Sequence, residues 1–352
     1  MPTMLLERTA VAKRQDLSDF IHYADFKNTP FISSVSKGTK PINTLVEWPV
    51  DNYPDPRTTG VIDGADIQDA EWENLGRPNA VLANRVQIWR RAPRVSTLSQ
   101  VVMVQGGVAQ RESYALSIAK GLIMIKRDME TTALGDSESQ ADTGAVPNRM
   151  RGLGKWISST AQTDLPVDPA YLTPATSILT GTMSTFNPDG TINVQGTIND
   201  DTVTAVLQSI FDQTGDADMD LTGWCGSKMK RQLSLITKYE TIDAPVVLAR
   251  RFNNDIDTNT VTQKVDIIRT DFGNLNLRLS SFINTGGTPK TDASKSLCYI
   301  TPMQKEMIRM RYSEAPFSRD LPDLGGGPRA EVRAIGTLEV GNPLCFGKIV
   351  GS

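Results

Sequence analysis

Histidine is nearly missing from this chain: His22 stands alone among 352 residues. That excludes histidine-clustered metal sites and leaves acid–base chemistry to carboxylates, lysines or tyrosines. A Ser-His-Asp or Cys-His mechanism would have to recruit His22, which sits beside Tyr23 in HYADF with no GxSxG anywhere in the sequence. Cysteine is also scarce. Cys225, Cys298 and Cys345 are odd in number, far apart and in no CxxC arrangement. Neither a zinc knuckle nor a disulfide framework is indicated, and the expected setting at synthesis is a reducing cytoplasm.

Long apolar runs are missing too. Near the N-terminus Glu7, Arg8, Lys13 and Arg14 interrupt any stretch that could serve as a signal segment. The longest uncharged stretch, from Val167 past Thr185 apart from Asp168, is rich in Thr, Ser and Pro. A membrane helix needs about 20 mainly apolar residues, so no membrane association is expected. An excess of one charge is lacking as well, with 37 Lys+Arg against 40 Asp+Glu for a net charge of -3. With 39% hydrophobic residues this is an ordinary globular composition, long enough for two or three packed modules.

Phosphate-binding signatures are absent: there is neither GxxxxGK[ST] nor GxGxxG, and the glycines around Gly326 follow no strand-to-helix pattern. Asp216, Asp218 and Asp220 imitate the start of a calcium loop, but Leu221 stands where its glycine belongs and Ser227 where its bidentate acid belongs. Pairs such as Asp63 with Asp66, or Asp200 with Asp201, fit solvated turns and helix starts. No catalytic residue, metal site or cofactor is expected, and an enzyme on this scaffold would need a concave pocket with perturbed acids.

What is present is a sequence of mixed periodicities. Residues 1–44 read as an arm with one amphipathic turn, Leu17, Phe20, Ile21 and Ala24. LVEWPV from Leu45 and the run from Val81 to Val104 read as strands, joined by a stretch rich in Pro, Asp and Gly, which predicts a long projecting hairpin. Its charges are segregated. Residues 51–73 hold seven acids (Asp51, Asp55, Asp63, Asp66, Asp69, Glu71, Glu73) against Arg57 alone. Residues 74–111 hold no acid and six arginines: Arg77, Arg85, Arg90, Arg91, Arg94 and Arg111. Such segregation is expected to pair the two limbs, or one limb with a neighbour's opposite limb, although an exposed pair contributes only about 0–1 kcal/mol. Trp89 beside Arg90 and Arg91 raises a nucleic-acid reading, but the balanced net charge and the acidic neighbour favour protein contact.

Apolar residues then recur at helical spacing (Ala115, Ile118, Ala119, Leu122, Ile125, Met129) up to Gly135, predicting a helix over 110–134, roughly 37 Å long, whose stripe is core packing. Residues 164–196 read as loops or an elaborated hairpin. A second helix is signalled by Asn199 as cap and Gly215 as stop, with Val203, Val206, Leu207, Ile210 and Phe211 on one face, and a third follows Ser227. Val261, Val265 and Ile267 alternate against Leu275, Leu277 and Leu279 around Phe272, Gly273 and Asn274, which predicts a hairpin. SLCYI, MIRMRY, EVRAIGTLEV and CFGKIV read as strands, with a flexible loop at Leu321–Pro328. The class is α+β.

DFKNTPFISSVSKG with EWPVDNY, NRVQIWRRAPRVS, IKRDMETTALG, RMRGLGKWI and TLEVGNPLCFGKIVG lie in this order along the chain. In that order they resemble tailed-phage major capsid proteins of the Hong Kong 97-type fold, and most closely the family similar to the coliphage Sigma-Upsilon 10 major capsid protein. The resemblance implies an N-terminal arm (1–44), an extended loop (45–95), a peripheral domain (96–198) with its spine helix at 110–134, an axial domain (199–300) and a return to the peripheral domain (301–352). It further implies a virion protein, assembled in the host bacterial cytoplasm, that joins copies of itself as hexamers and pentamers into an icosahedral shell. The partners implied are packaged double-stranded DNA by non-specific contact, a portal, a scaffold protein and a cement or decoration protein. Candidate inter-subunit residues are Trp48, Asp63, Asp66, Asp69, Trp72, Arg85, Trp89, Arg90, Arg91 and Arg94. The alternative is an encapsulin-like cellular compartment, which shares the fold.

Overall fold

The computed structural model describes residues 28–54, 56–68, 71–72, 78–98, 110–186, 192–194, 196–216, 219–236 and 265–352. His22, the turn at 17–24, Asp55, Asp69, Glu73, Arg77, Asp218 and Val261 lie outside them. The described chain begins with α1 (Pro30–Ser34), opened by a proline in its first turn, where a missing N–H costs nothing, and then two-residue β1 (Ser36–Lys37). β2 (Leu45–Val50) and β3 (Ala80–Arg85) pair antiparallel, Leu45 opposite Arg85 and Val50 opposite Ala80. β2 keeps the strand period, with Val46, Trp48 and Val50 buried and Glu47 and Pro49 exposed. β4 (Gln87–Arg91) follows one residue later.

α2 (Gln110–Ala133) is the long helix. Its stripe is core only toward the C-terminal end: Ile125 and Met129 are buried, whereas Ala115 and Ala119 are exposed and Ile118 and Leu122 half-buried. The expectation of a continuous core stripe is corrected there, because alanine methyls offer little apolar area to hide. After α3 (Leu153–Trp156) come β5 (Ile178–Gly181) and a small ladder of β6 (Thr185–Phe186) with β7 (Ile192–Val194). α4 (Asp200–Thr214) starts at Asn199, whose side chain accepts the Thr202 N–H while the Thr202 hydroxyl accepts the Asn199 N–H, and ends at Gly215 with φ 67°, a left-handed turn that glycine enters without strain. β8 (Asp220–Cys225), α5 (Ser227–Ile236), β9 (Ile267–Thr270) and β10 (Gly273–Leu279) follow. Then come the minimal hairpin β11 (Asn284–Thr285) and β12 (Thr288–Pro289), α6 (Asp292–Lys295), β13 (Leu297–Pro302), β14 (Ile308–Leu321), β15 (Arg329–Val340) and β16 (Gly347–Gly351). One sheet has the order β5-β16-β13-β8-β10-β9 and a second β1-β14-β15-β4.

Two compact units are formed. The larger comprises Thr29–Trp89, Lys126–Ala315 and Ala334–Ser352. Its core lies on one face of the six-stranded sheet, where Val203, Leu207 and Ile210 of α4 and Met229 and Leu233 of α5 cover Leu221, Leu275, Leu277, Ile300 and Ile349. The alternate residues face the other side. There Trp224 meets Phe31 of α1 edge-on at 5.4 Å and donates its indole N–H to the Thr301 hydroxyl at 3.0 Å.

The described residues of the smaller unit are Asn28, 90–98, 110–125 and Pro316–Arg333. Within it the Val95 N–H reaches the Pro328 carbonyl and the Ala330 N–H the Pro93 carbonyl. Tyr114 of α2 donates to Asp320 at 2.8 Å, and Gly121 lets the helix approach Val332 closely. The Leu321–Pro328 loop is organised by the Asp323 carboxylate, which accepts N–H groups of Gly325, Gly326 and Gly327 at 2.9, 3.2 and 3.3 Å. Those bonds hold the Asp323 carboxyl below its usual range, the Gly326 N–H contributing most.

Candidate assembly site

The hairpin of β2 and β3 is anchored by its buried face. Trp48 is only 5% exposed, donates its indole N–H to the Val340 carbonyl at 2.9 Å and packs against Trp156 with ring centroids 5.7 Å apart. Asn84, fully buried on β3, donates to the Leu338 carbonyl at 2.7 Å and accepts the Arg151 N–H at 2.8 Å. The amide therefore ties the hairpin to β15 and to the RMRGLGKWI segment at once, satisfying groups that would be costly to bury alone.

Arg151 is the hub of that segment. It is fully buried, its Nε donates to Glu138 at 2.8 Å, one Nη reaches the Asp164 and Leu165 carbonyls, and its guanidinium lies 4.6 Å from the Trp156 ring. Burial pulls the Arg151 pKa down and the Glu138 charge opposes that. Beside it Arg85 grips Asp164 with two bonds, 2.9 and 3.0 Å, and Ser139 adds a third at 2.7 Å. The Arg85 bond foremost keeps the Asp164 carboxyl below its usual range.

Beyond this root the loop is open. The described residues between Asp51 and Gln68 are all exposed, including Asp63 and Asp66. Large apolar side chains stand among the acids, with Tyr53 99%, Ile62 82% and Trp72 70% exposed. Apolar residues rather than the segregated charges form the strand pairing at the root of the hairpin. The paired strands are LVEWPV and AVLANR, whose apolar alternation sets the ladder, while the acidic run lies in the connection between them. Arg85 finds its acid 79 residues later, at Asp164.

The remaining candidates divide into two groups. Trp89 is 5% exposed and donates to the Thr132 hydroxyl at 3.2 Å, so with Trp48 and Arg85 it works inside the chain. Arg90, Arg91 and Arg94 are exposed, the last with its guanidinium close to Gly326. Sequence reading missed Asn84, Glu138, Asp164 and Glu130 as organising residues. The only local signal was the density of Arg, Gly and Trp around Arg151.

Solved structures share this fold along its whole length at low identity. The capsid of a native GTA particle aligns with TM-score 0.53 and 11% identity, over 98% of this chain and 97% of the other. Gordonia phage Cozz gives TM-score 0.53 and 10% identity over 99% and 98%, and the capsid of cyanophage P-SCSP1u 0.51 and 11% over 99% and 97%. No curated protein matches by sequence. The fold is thus the Hong Kong 97-type fold of tailed-phage major capsid proteins. The chain belongs to the SU10 major capsid protein family, whose model matches residues 5–352. The family match and the phage-capsid neighbours favour the phage reading over the encapsulin-like one, and the chain is a structural protein of the virion that assembles with copies of itself. Among the described residues no helix is long and apolar enough to cross a membrane.

Proposed function

We propose that copies of this chain join as pentamers and hexamers around packaged double-stranded DNA, and that each copy lays its 51–72 loop across a neighbour. The observation that carries the docking role is the exposure of Tyr53, Ile62 and Trp72 among the acids Asp63 and Asp66. Apolar side chains clustered on an exposed loop and rimmed by charge suit a surface that is covered on association. The basic surface of the adjoining copy, Arg90, Arg91 and Arg94, is the complementary recipient. Trp48, Arg85 and Trp89 act from within, holding the hairpin root in place.

On this reading 1–44 is the arm, 45–95 the extended loop, 96–198 with 301–352 the peripheral domain and 199–300 the axial domain. The role is architectural, without catalysis. A scaffold protein during assembly, a portal at one vertex and a cement or decoration protein on the outside are the remaining partners, and DNA is met without sequence preference.

The test is charge reversal with compensation. Arg90→Glu with Arg91→Glu should lower the yield of closed shells, seen by negative-stain electron microscopy and light scattering, while circular dichroism shows the subunit still folded. Adding Asp63→Arg and Asp66→Arg should restore part of the yield. Full shell yield from the first pair, in the chain co-expressed with its neighbouring genes, overturns the docking.

A further inference from the structure

Cys225 of β8 and Cys298 of β13 are directly opposite each other in an antiparallel ladder at the centre of the six-stranded sheet. Their sulfurs are 2.9 Å apart and both residues are fully buried. Opposed residues of such a ladder hold their Cα atoms about 4.5–5.5 Å apart, inside the span of roughly 4.4–6.8 Å that a disulfide bridges. Both side chains point to the face covered by Met229 and Leu233 of α5. Gly223 helps create the room, since a Cβ there would stand 3.3 Å from the Cys298 sulfur. Cys345 is buried in a separate turn, Pro343–Cys345, and is not opposed by another cysteine.

We propose that Cys225 and Cys298 are a reversible modification site, at which a peroxide closes a disulfide between β8 and β13. One thiolate attacks a peroxide oxygen; the O–O bond breaks, leaving a sulfenic acid and one water. The partner sulfur then displaces the second water from the sulfenic sulfur and the S–S bond forms. Two thiols and one hydrogen peroxide become one disulfide and two waters, the thiol protons ending in the waters. A thiol reductant reverses it.

The two residues are 73 apart in sequence, so the bond encloses every described element from α5 to α6 in one covalent loop. Cross-linking the strands restricts the unfolded chain and strengthens the centre of the sheet. In the folded chain burial, with the neighbouring Cys225, raises the Cys298 pKa and keeps its reactive form scarce, so the pair closes slowly once oxidant is present. The inference concerns the sheet itself and holds whether or not the 51–72 loop docks as proposed above.

The experiment treats the intact protein, soluble and assembled, with hydrogen peroxide, then denatures it in an alkylating reagent without reductant. The expected result is one alkylated cysteine per chain, a chain mass lower by two hydrogens before alkylation, and a linked peptide pair containing Cys225 and Cys298. Dithiothreitol should restore three alkylations. The urea midpoint should rise on oxidation and fall back on reduction, and Cys298→Val should abolish both the linked peptide and the shift. Three alkylated cysteines after an exposure that fully oxidises the urea-unfolded chain, or separate sulfinic acids without a linked peptide, would overturn the proposal.

Discussion

Glu130, near the end of α2, accepts the backbone N–H of Phe31, 99 residues earlier, at 2.8 Å, and its second oxygen accepts the next N–H, from Ile32, at 2.7 Å. One carboxyl thus satisfies two donors at the start of α1 that no helical turn can supply. The position is fully buried, and burial pushes the Glu130 pKa up to about 7 against the opposing pull of the two N–H bonds. Burial first, and the Glu130 charge second, push the Tyr312 phenol up to about 12.

The sign of the pH effect follows. Because the folded value lies above the ordinary 4.5, the folded chain binds more protons between those two values. Stability therefore falls as pH rises through that window, by at most on the order of 3 kcal/mol. Glu130→Gln should flatten the decline. Melting temperatures at pH 5 and pH 8 check it, and an unchanged difference between them sinks the assignment.

Asp164 works in the opposite direction. Its folded value lies below the ordinary 3.8, so the stability it contributes is present above that value and is lost as pH falls through the depressed one. Arg85 and Asp164 are 21% and 29% exposed, so solvent screening limits the contribution to about 1 kcal/mol. Asp164→Asn should weaken the protein at neutral pH and shift its acid-unfolding midpoint upward, read by circular dichroism. A midpoint equal to the parent's counts against the Arg85 bond as the cause.

Much of this architecture was legible because it is local. Asn199 and Gly215 mark the ends of α4 in their own residue types, and the turn between Ile267–Thr270 and Gly273–Leu279 falls at Phe272 and Gly273 as expected, although on the first limb Ile268 is buried in place of the expected Ile267, which is half exposed. What was not legible is long-range. Nothing near Phe31 announces Glu130, and nothing near Arg85 announces Asp164, which sits in a stretch that reads as loop. The β2–β3 ladder follows side-chain alternation, and the segregated charges of the limbs do not mark it. Identity came from the order of whole motifs, since Arg151 and Trp156 alone do not distinguish a shell protein from any packed core.

The glycines of RGLGKWI have measurable consequences. A Cβ on Gly154 would run into the Tyr299 hydroxyl, and one on Gly152 into the Gly135 carbonyl oxygen that already accepts the Gly154 N–H at 2.9 Å. Tyr299 is fully buried and cannot swing away. Gly154→Ala should therefore cost about 1–3 kcal/mol, the usual range for overpacking, and Gly152→Ala, which meets backbone, at least as much. Urea unfolding provides the comparison, with Gly144→Ala as reference for the ordinary strain of replacing a glycine with φ 80° in open space. Equal losses at Gly144 and Gly154 would remove close packing as the explanation.

The 51–72 loop offers the sharpest separation of folding from assembly. Ile62 and Trp72 are mostly exposed in the isolated chain, so changing them removes little internal packing and should alter the subunit's stability by no more than about 0.5 kcal/mol. If a neighbour covers them, each loses an interface anchor, and truncating a buried aromatic anchor typically costs about 2 kcal/mol or more of association free energy per site. A shell repeats every contact many times, so such a loss should move the critical concentration for assembly by more than tenfold. Ile62→Ser and Trp72→Ser should each leave the melting curve of the subunit in place and raise the concentration at which closed shells appear. Trp48→Phe supplies the contrast: the Val340 hydrogen bond disappears from a buried site, so its melting temperature should fall before any effect on assembly is considered. Shells forming at the parent's concentration in both serine variants would place the loop in solvent and return assembly to the other surfaces of the molecule.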